Sequence, residues 1–293
     1  MGLALLILGF IWGSSFILMK IALFASDGTP LFPALDVAMG RIAIAGLALL
    51  PVAVAHRKHL TRATLPWLLL VGGVGNLLPA YFFTTAQTLI PSSVAGMLNA
   101  LTPMFTFVVG VALFGTRIKR LQVWGLVVGL IGAAVLAFQP GMGVSLEPGM
   151  VWGAGRVVLA TACYGLSVNL IRNKLGHVPA AAVAALSLGL MSLPALAVAL
   201  AGPGLSVAAA HPEGPRGLIA VTVLAVVGTG LALIAFNRII QKTNALFAST
   251  VTYIIPLFAT MWGWLDDEPL TILHLVGGAV VLGGVWLVSR GGK

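Results

Sequence analysis

Few residues of this 293-residue chain could do chemistry, and most of those lie inside long apolar stretches. Trp12 and Ser15 fall in the first stretch, Arg41 in the second, Asn76 and Tyr81 in the third and Asn99 in the fourth. Tyr164 and Asn169 fall in the sixth, and Thr252 and Tyr253 in the ninth. Amides, hydroxyls, aromatic rings and one guanidinium can hold a small solute without breaking a bond. Hydrolysis or group transfer needs a general base, a metal or an activated nucleophile. The five histidines, His56, His59, His177, His211 and His274, fall in loops or near stretch ends, and no two join a carboxylate at depth. No Gly-rich run ends in Gly-Lys-Ser or Gly-Lys-Thr, which argues against an ATP-driven pump. No catalytic residue, metal or cofactor is therefore expected. Cys163 is the only cysteine and reads as a small inert core residue.

Arg41 lies well inside its stretch, where an unpaired guanidinium costs on the order of 3 kcal/mol or more. Its partner is a helix-end carbonyl, Asp36, or the carboxylate of a solute. Lys20 and Arg156 stand closer to stretch ends, where long side chains can reach the interface. Pro103 and Pro256 each remove a backbone hydrogen bond in mid-stretch and are candidate hinges.

The elements that must position these residues are membrane helices. With 59% hydrophobic and 8% charged residues and a mean hydropathy of +1.08, the chain cannot hide its apolar surface in a water-soluble core. The stretches are continuous rather than alternating, which selects helices over a barrel. They run over 2–24, 33–55, 66–86, 92–114, 121–139, 150–171, 179–201, 217–238, 245–264 and 270–289, ten helices in all. The first lacks a basic leader and is too long for a signal peptide, so it counts as structural. The fold class is an all-α integral membrane protein.

The chain also repeats itself. Trp12, Gly13, Ser15 and Lys20 align with Tyr164, Gly165, Ser167 and Arg172. Gly75, Phe83, Ala95, Pro103, Gly110 and Gly125 align with Gly228, Phe236, Ala248, Pro256, Gly263 and Gly278. A first repeat over 1–140 and a second over 141–293 each hold five helices, and an odd number of crossings inverts the second half. Inverted repeats of this kind bracket a central site in carriers that alternate access between two faces.

A net charge of +9 suggests nucleic acid in a soluble domain. Here position gives another reading, with no nucleic-acid partner. Arg57, Lys58, Arg62, Arg117, Lys119, Arg120, Arg172, Lys174, Arg238, Lys242, Arg290 and Lys293 all fall in alternate loops or at the C-terminus, and the other loops hold only Arg216. The positive-inside rule then sets both termini in the cytoplasm. The acids Asp27, Asp36, Glu147, Glu213, Asp266, Asp267 and Glu268 fall on or near the opposite side.

Ile11-Trp12-Gly13-Ser14-Ser15-Phe16 with Lys20, then Arg41, and the repeat ends around Leu101-Thr102-Pro103 and Tyr253-Ile254-Ile255-Pro256, resemble the EamA-type branch of the drug/metabolite transporter superfamily. The resemblance covers nearly the whole chain. The family's short acidic step stands in the second half as Asp267-Glu268-Pro269, whereas Gly115-Thr116-Arg117 replaces it in the first. The resemblance implies two five-helix repeats, with helices 1 to 4 and 6 to 9 around a central cavity and helices 5 and 10 at the sides. It also implies export or exchange of small metabolites, commonly amino acids, across a bacterial inner membrane. The expected partners are a small-molecule substrate and the lipid bilayer; an oligomeric state is not specified, a monomer being plausible. A mostly neutral, aromatic site favours neutral or aromatic amino acids as cargo, moved by facilitated transport. Asp36 is the only acid within a predicted span, which disfavours proton coupling. A proton-coupled multidrug exporter is the alternative carrier, and a passive channel the alternative of another kind.

Overall fold

A computed structural model describes residues 2–116, 119–137, 148–267 and 271–291. Arg117, Glu147, Glu268, Pro269 and Lys293, and the boundary between residues 140 and 141, lie outside the described residues. Every regular element described is helical, apart from one isolated bridge between Phe24 and Pro30. The long elements are α1 (Gly2–Leu23), α2 (Ala34–Ala48, continued by Leu50–Ala55), α3 (Leu65–Ala86), α4 (Ser92–Phe114) and α5 (Arg120–Ala137). After them come α6 (Pro148–Lys174), α7 (Ala180–Ala201), α8 (Gly214–Lys242), α9 (Ala245–Leu265) and α10 (Ile272–Gly291). Seven of these, all except α2, α5 and α10, are long and apolar enough to cross a membrane. The predicted span 33–55 is not one rod: it breaks at Leu49, where the backbone (φ −91°, ψ 4°) leaves the helix before Pro51 opens the next turn.

Proline sets several starts. Pro33 and Pro179 stand just before α2 and α7 in the extended region (φ −57°, ψ 138° and φ −53°, ψ 139°), which suits a residue that cannot donate an amide proton. Pro103 and Pro256 sit at the first turn of the segments Thr102–Phe114 and Ile255–Leu265. Each follows a short 3-10 stretch, Asn99–Leu101 in α4 and Thr250–Tyr253 in α9, so the irregularity falls just before the proline. Composition did not announce a second irregularity. α3 widens to a π-helix over Gly73–Leu77 and α8 does so over Val226–Leu231. Pro194, by contrast, lies within one continuous helix, α7.

Contacts recur at aligned residues of the two halves. Gly13 of α1 faces Phe258 of α9, where an added Cβ would lie 2.5 Å from that side chain; Gly165 of α6 faces Phe105 of α4, with backbone 2.6 Å away. Gly228 of α8 lies over Ser15 of α1, and Gly75 of α3 over Ser167 of α6. Small residues let helices approach where side chains would hold them apart. The same holds at the side of the bundle, where Gly284 of α10 meets the backbone of Gly125 and Gly129 of α5.

The core is continuous from α2, α3 and α7 through the second half of α6 and α8. Large apolar side chains such as Leu193, Trp152, Leu257 and Leu275 point outward and remain exposed, as a lipid-facing surface requires. Polar links gather at one end of the bundle. Lys20 pairs with Asp266, and Asp36 accepts the Gly204 amide at 2.7 Å. Glu213 accepts the Ser26 amide at 3.0 Å and Arg216 at 2.6 Å. These donors, the Ser26 amide first, hold the Glu213 carboxyl below its ordinary pKa.

Candidate functional site

Eight helices close around a cavity that is open at its mouth. α1 to α4 and α6 to α9 line it, and α5 and α10 contribute no lining residue among those described. Of the residues singled out from sequence, Trp12, Ser15, Arg41, Asn76, Asn99, Tyr164 and Thr252 line the wall. Tyr81, Asn169 and Tyr253 do not. Tyr81 turns outward and is 36% exposed. Asn169 is buried as a bridge between helices, its amide donating to Thr106 O and Gly165 O, each at 2.8 Å. Tyr253 packs into the apolar cluster around Phe16 and Leu98.

Asn76 reaches the wall from within the π segment of α3. A π turn widens the helix and shifts its backbone pairing from four residues to five. Asn76 Nδ2 donates to Val71 O at 3.3 Å and Thr229 Oγ1 to Leu224 O at 3.1 Å, in both cases five residues back. Asn76 and Thr229 align in the repeat, as do Val71 and Leu224. Thr229 was missed from sequence, although laying Asn76 on the second half would have found it. Ser167, Phe83 and Phe236 were also visible in the alignment and also line the cavity. Ser187 and Asn237 carried no such signal.

Aromatic rings frame the site in pairs that cross between the halves. Trp12 meets Phe236 edge-on with centroids 4.9 Å apart, and Tyr164 stacks on Phe83 at 5.9 Å. Trp12 aligns with Tyr164, and Phe236 with Phe83. Trp12 Nε1 is tied to Gly228 O at 2.9 Å, which fixes the plane of its ring. Most hydroxyls spend their protons on their own helices: Ser15 on Ile11 O at 3.0 Å, Thr252 on Ser249 O at 2.8 Å and Thr102 on Asn99 O at 2.8 Å. Their lone pairs remain available to accept.

Arg41 is the exception to this neutral lining. It is 8% exposed, and its Nε donates to Thr229 Oγ1 at 2.7 Å. Nη1 faces Met19 Sδ at 3.9 Å, a weak acceptor. Asp36 is not its partner, being occupied by Gly204. No Asp, Glu or His lines the cavity among the described residues, and none of their acidic, His or Cys side chains clusters as a metal would require. The wall can enclose, stack on and hydrogen-bond a small solute, with one fixed positive charge.

The model of the EamA-like transporter family matches residues 1–138 and 151–290. The chain belongs to the EamA-like transporter family. Similar proteins include the inner membrane transporter YedA of Escherichia coli K12, itself uncharacterized, at 27% identity over 98% of this chain and 90% of that one. A probable terminal-alkyne amino-acid exporter of Streptantibioticus cattleyicolor is 25% identical over 88% of each chain. The aromatic amino acid exporter YddG of Ancylobacter novellus is 28% identical over 67% of this chain and 66% of its own. A solved crystal structure superimposes with a TM-score of 0.67 at 21% identity, covering 98% of this chain and 96% of the other, which establishes likeness of fold. An EamA-like protein with these helices is a multi-pass membrane transporter rather than an enzyme.

Proposed function

We propose that this protein is an alternating-access carrier that exports or exchanges small metabolites, chiefly neutral or aromatic amino acids, by facilitated transport through the central cavity. In this reading ten spans form two inverted five-helix repeats, 1–140 and 141–293, in a bacterial inner membrane with both termini cytoplasmic. The observation that carries it is the cavity wall: both halves supply it, aligned aromatic pairs frame it, and no acid or histidine enters it among the described residues. Carriers place the site between repeats and move the repeats around it. Pro103 and Pro256, each just after a 3-10 stretch, would let α4 and α9 flex at aligned places. The amino-acid exporters among the similar proteins point the same way.

The test is counterflow in proteoliposomes loaded with unlabelled phenylalanine, leucine, sugars, phosphates or cationic drugs, with and without a pH gradient. Saturable counterflow of amino acids that ignores the gradient is expected. Drug flux that requires a proton gradient would replace this reading with a coupled multidrug exporter. Flux without saturation or counterflow would indicate a channel.

A further inference from the structure

The proposed carrier has a cavity that is electrically lopsided. Arg41 supplies a buried cation on one side, and no carboxylate faces it from any lining helix among the described residues. Its Nε is satisfied by Thr229, its Nη1 has only the Met19 sulfur, and the remaining N–H groups have no hydrogen-bond partner among the described residues. The residue after α2's proline start that corresponds to Arg41 in α7 is Ser187, whose hydroxyl turns back to Ala184 O at 3.2 Å. The opposite half therefore offers no second charge.

We infer that Arg41, held by Thr229, is a carboxylate-binding subsite, and that the carrier selects its cargo by the carboxylate more than by the amine. A guanidinium offers parallel donors that match a carboxylate, and such a pair is stronger where burial limits water, as it does at Arg41. An ammonium finds only neutral acceptors here, such as the hydroxyl lone pairs of Ser15 and Thr252. Asn237 Oδ1 is buried without a hydrogen-bond partner among the described residues. It stands eight residues beyond Thr229 in α8, about 12 Å of helical rise. That is out of reach of an amine one carbon from a carboxylate seated on Arg41. The inference rests on the carrier reading, but its failure is separable from that reading's.

Four probes of one skeleton decide it: phenylalanine, 3-phenylpropionate, phenethylamine and phenylalanine methyl ester, with the leucine series as a second skeleton. Each competes against labelled phenylalanine in counterflow, and each is titrated onto the detergent-solubilised protein by calorimetry. Removing the amine is expected to cost less affinity than removing or esterifying the carboxylate, the latter on the order of 10- to 100-fold. Arg41→Gln should bring the acid down to the level of the ester, with Arg41→Lys intermediate. An amine or ester that competes as well as the parent amino acid overturns the inference, as does 3-phenylpropionate failing to bind where phenylalanine binds. If Arg41→Gln is not recovered folded, the wild-type series alone decides. Absent counterflow with carboxylate-selective binding would sink the carrier reading and leave this inference standing.

Discussion

Gly46 of α2 lies directly against Ser192 of α7, close enough that a Cβ on the glycine would strike the serine Cβ and approach Leu188 O. These helices carry Arg41 and Ser187 into the cavity, so their separation sets the width of the site. Gly46→Val is expected to destabilise the protein by about 1–3 kcal/mol through overpacking. A lower melting temperature in detergent, alongside Gly73→Ala as a position with open space, would measure it.

Asn99 lines the cavity and spends its carbonyls on Thr102, at 2.8 Å from the backbone oxygen and 3.3 Å from Oδ1, leaving its amide protons for cargo. Asn99→Ala should raise KM roughly tenfold, as loss of one good hydrogen bond would, without loss of protein from the membrane. Unchanged kinetics would assign Asn99 to helix packing.

Asn169→Ala should behave in the opposite way. Its amide spans α6 and α4, and removal leaves Thr106 O without that donor. Stability should fall by about 1–3 kcal/mol, while KM in counterflow stays at the wild-type value. A raised KM with unaltered melting would return Asn169 to the substrate site.

These two asparagines show where sequence reasoning ended. Depth in an apolar stretch identified both, because a polar group in a lipid-spanning helix must face something other than lipid. Depth cannot give the angle around the helix, and that angle turns Asn99 to the cavity and Asn169 to α4. Tyr81 meets the same limit: it stands outside the cavity wall and is exposed. The helical, membrane-spanning character of the chain was legible from hydropathy. The π segments were not, since Gly-Val-Gly-Asn-Leu and Val-Val-Gly-Thr-Gly-Leu also fit an ordinary helix and only packing selects the wider turn.

Transport should be flat from about pH 5.5 to 8, because side chains that titrate there, histidine above all, are missing from the described cavity wall. Initial rates of counterflow across that range would test this; a sigmoidal step would point to a titrating group in the path.

Glu213 predicts a separate effect at acid pH. Its folded-state pKa is depressed by Ser26 and Arg216, so its contribution is complete above the ordinary carboxylate pKa and is lost as pH falls through the depressed value. Proteolysis of the Ser26 loop should therefore accelerate below about pH 4 in the wild type, and Glu213→Gln should remove that step. A step of equal size in the variant would refute the assignment.

The two widened turns limit what vocabulary the site can use. Asn76 and Thr229 each donate a side-chain hydrogen bond to the carbonyl five residues back while also forming the cavity wall. A residue without a short donor there gives up that bond, at about 0.5–1.5 kcal/mol each. Diversification of cargo range is then left to Phe83, Tyr164 and Phe236, for which no side-chain hydrogen bond to the main chain is found among the described residues.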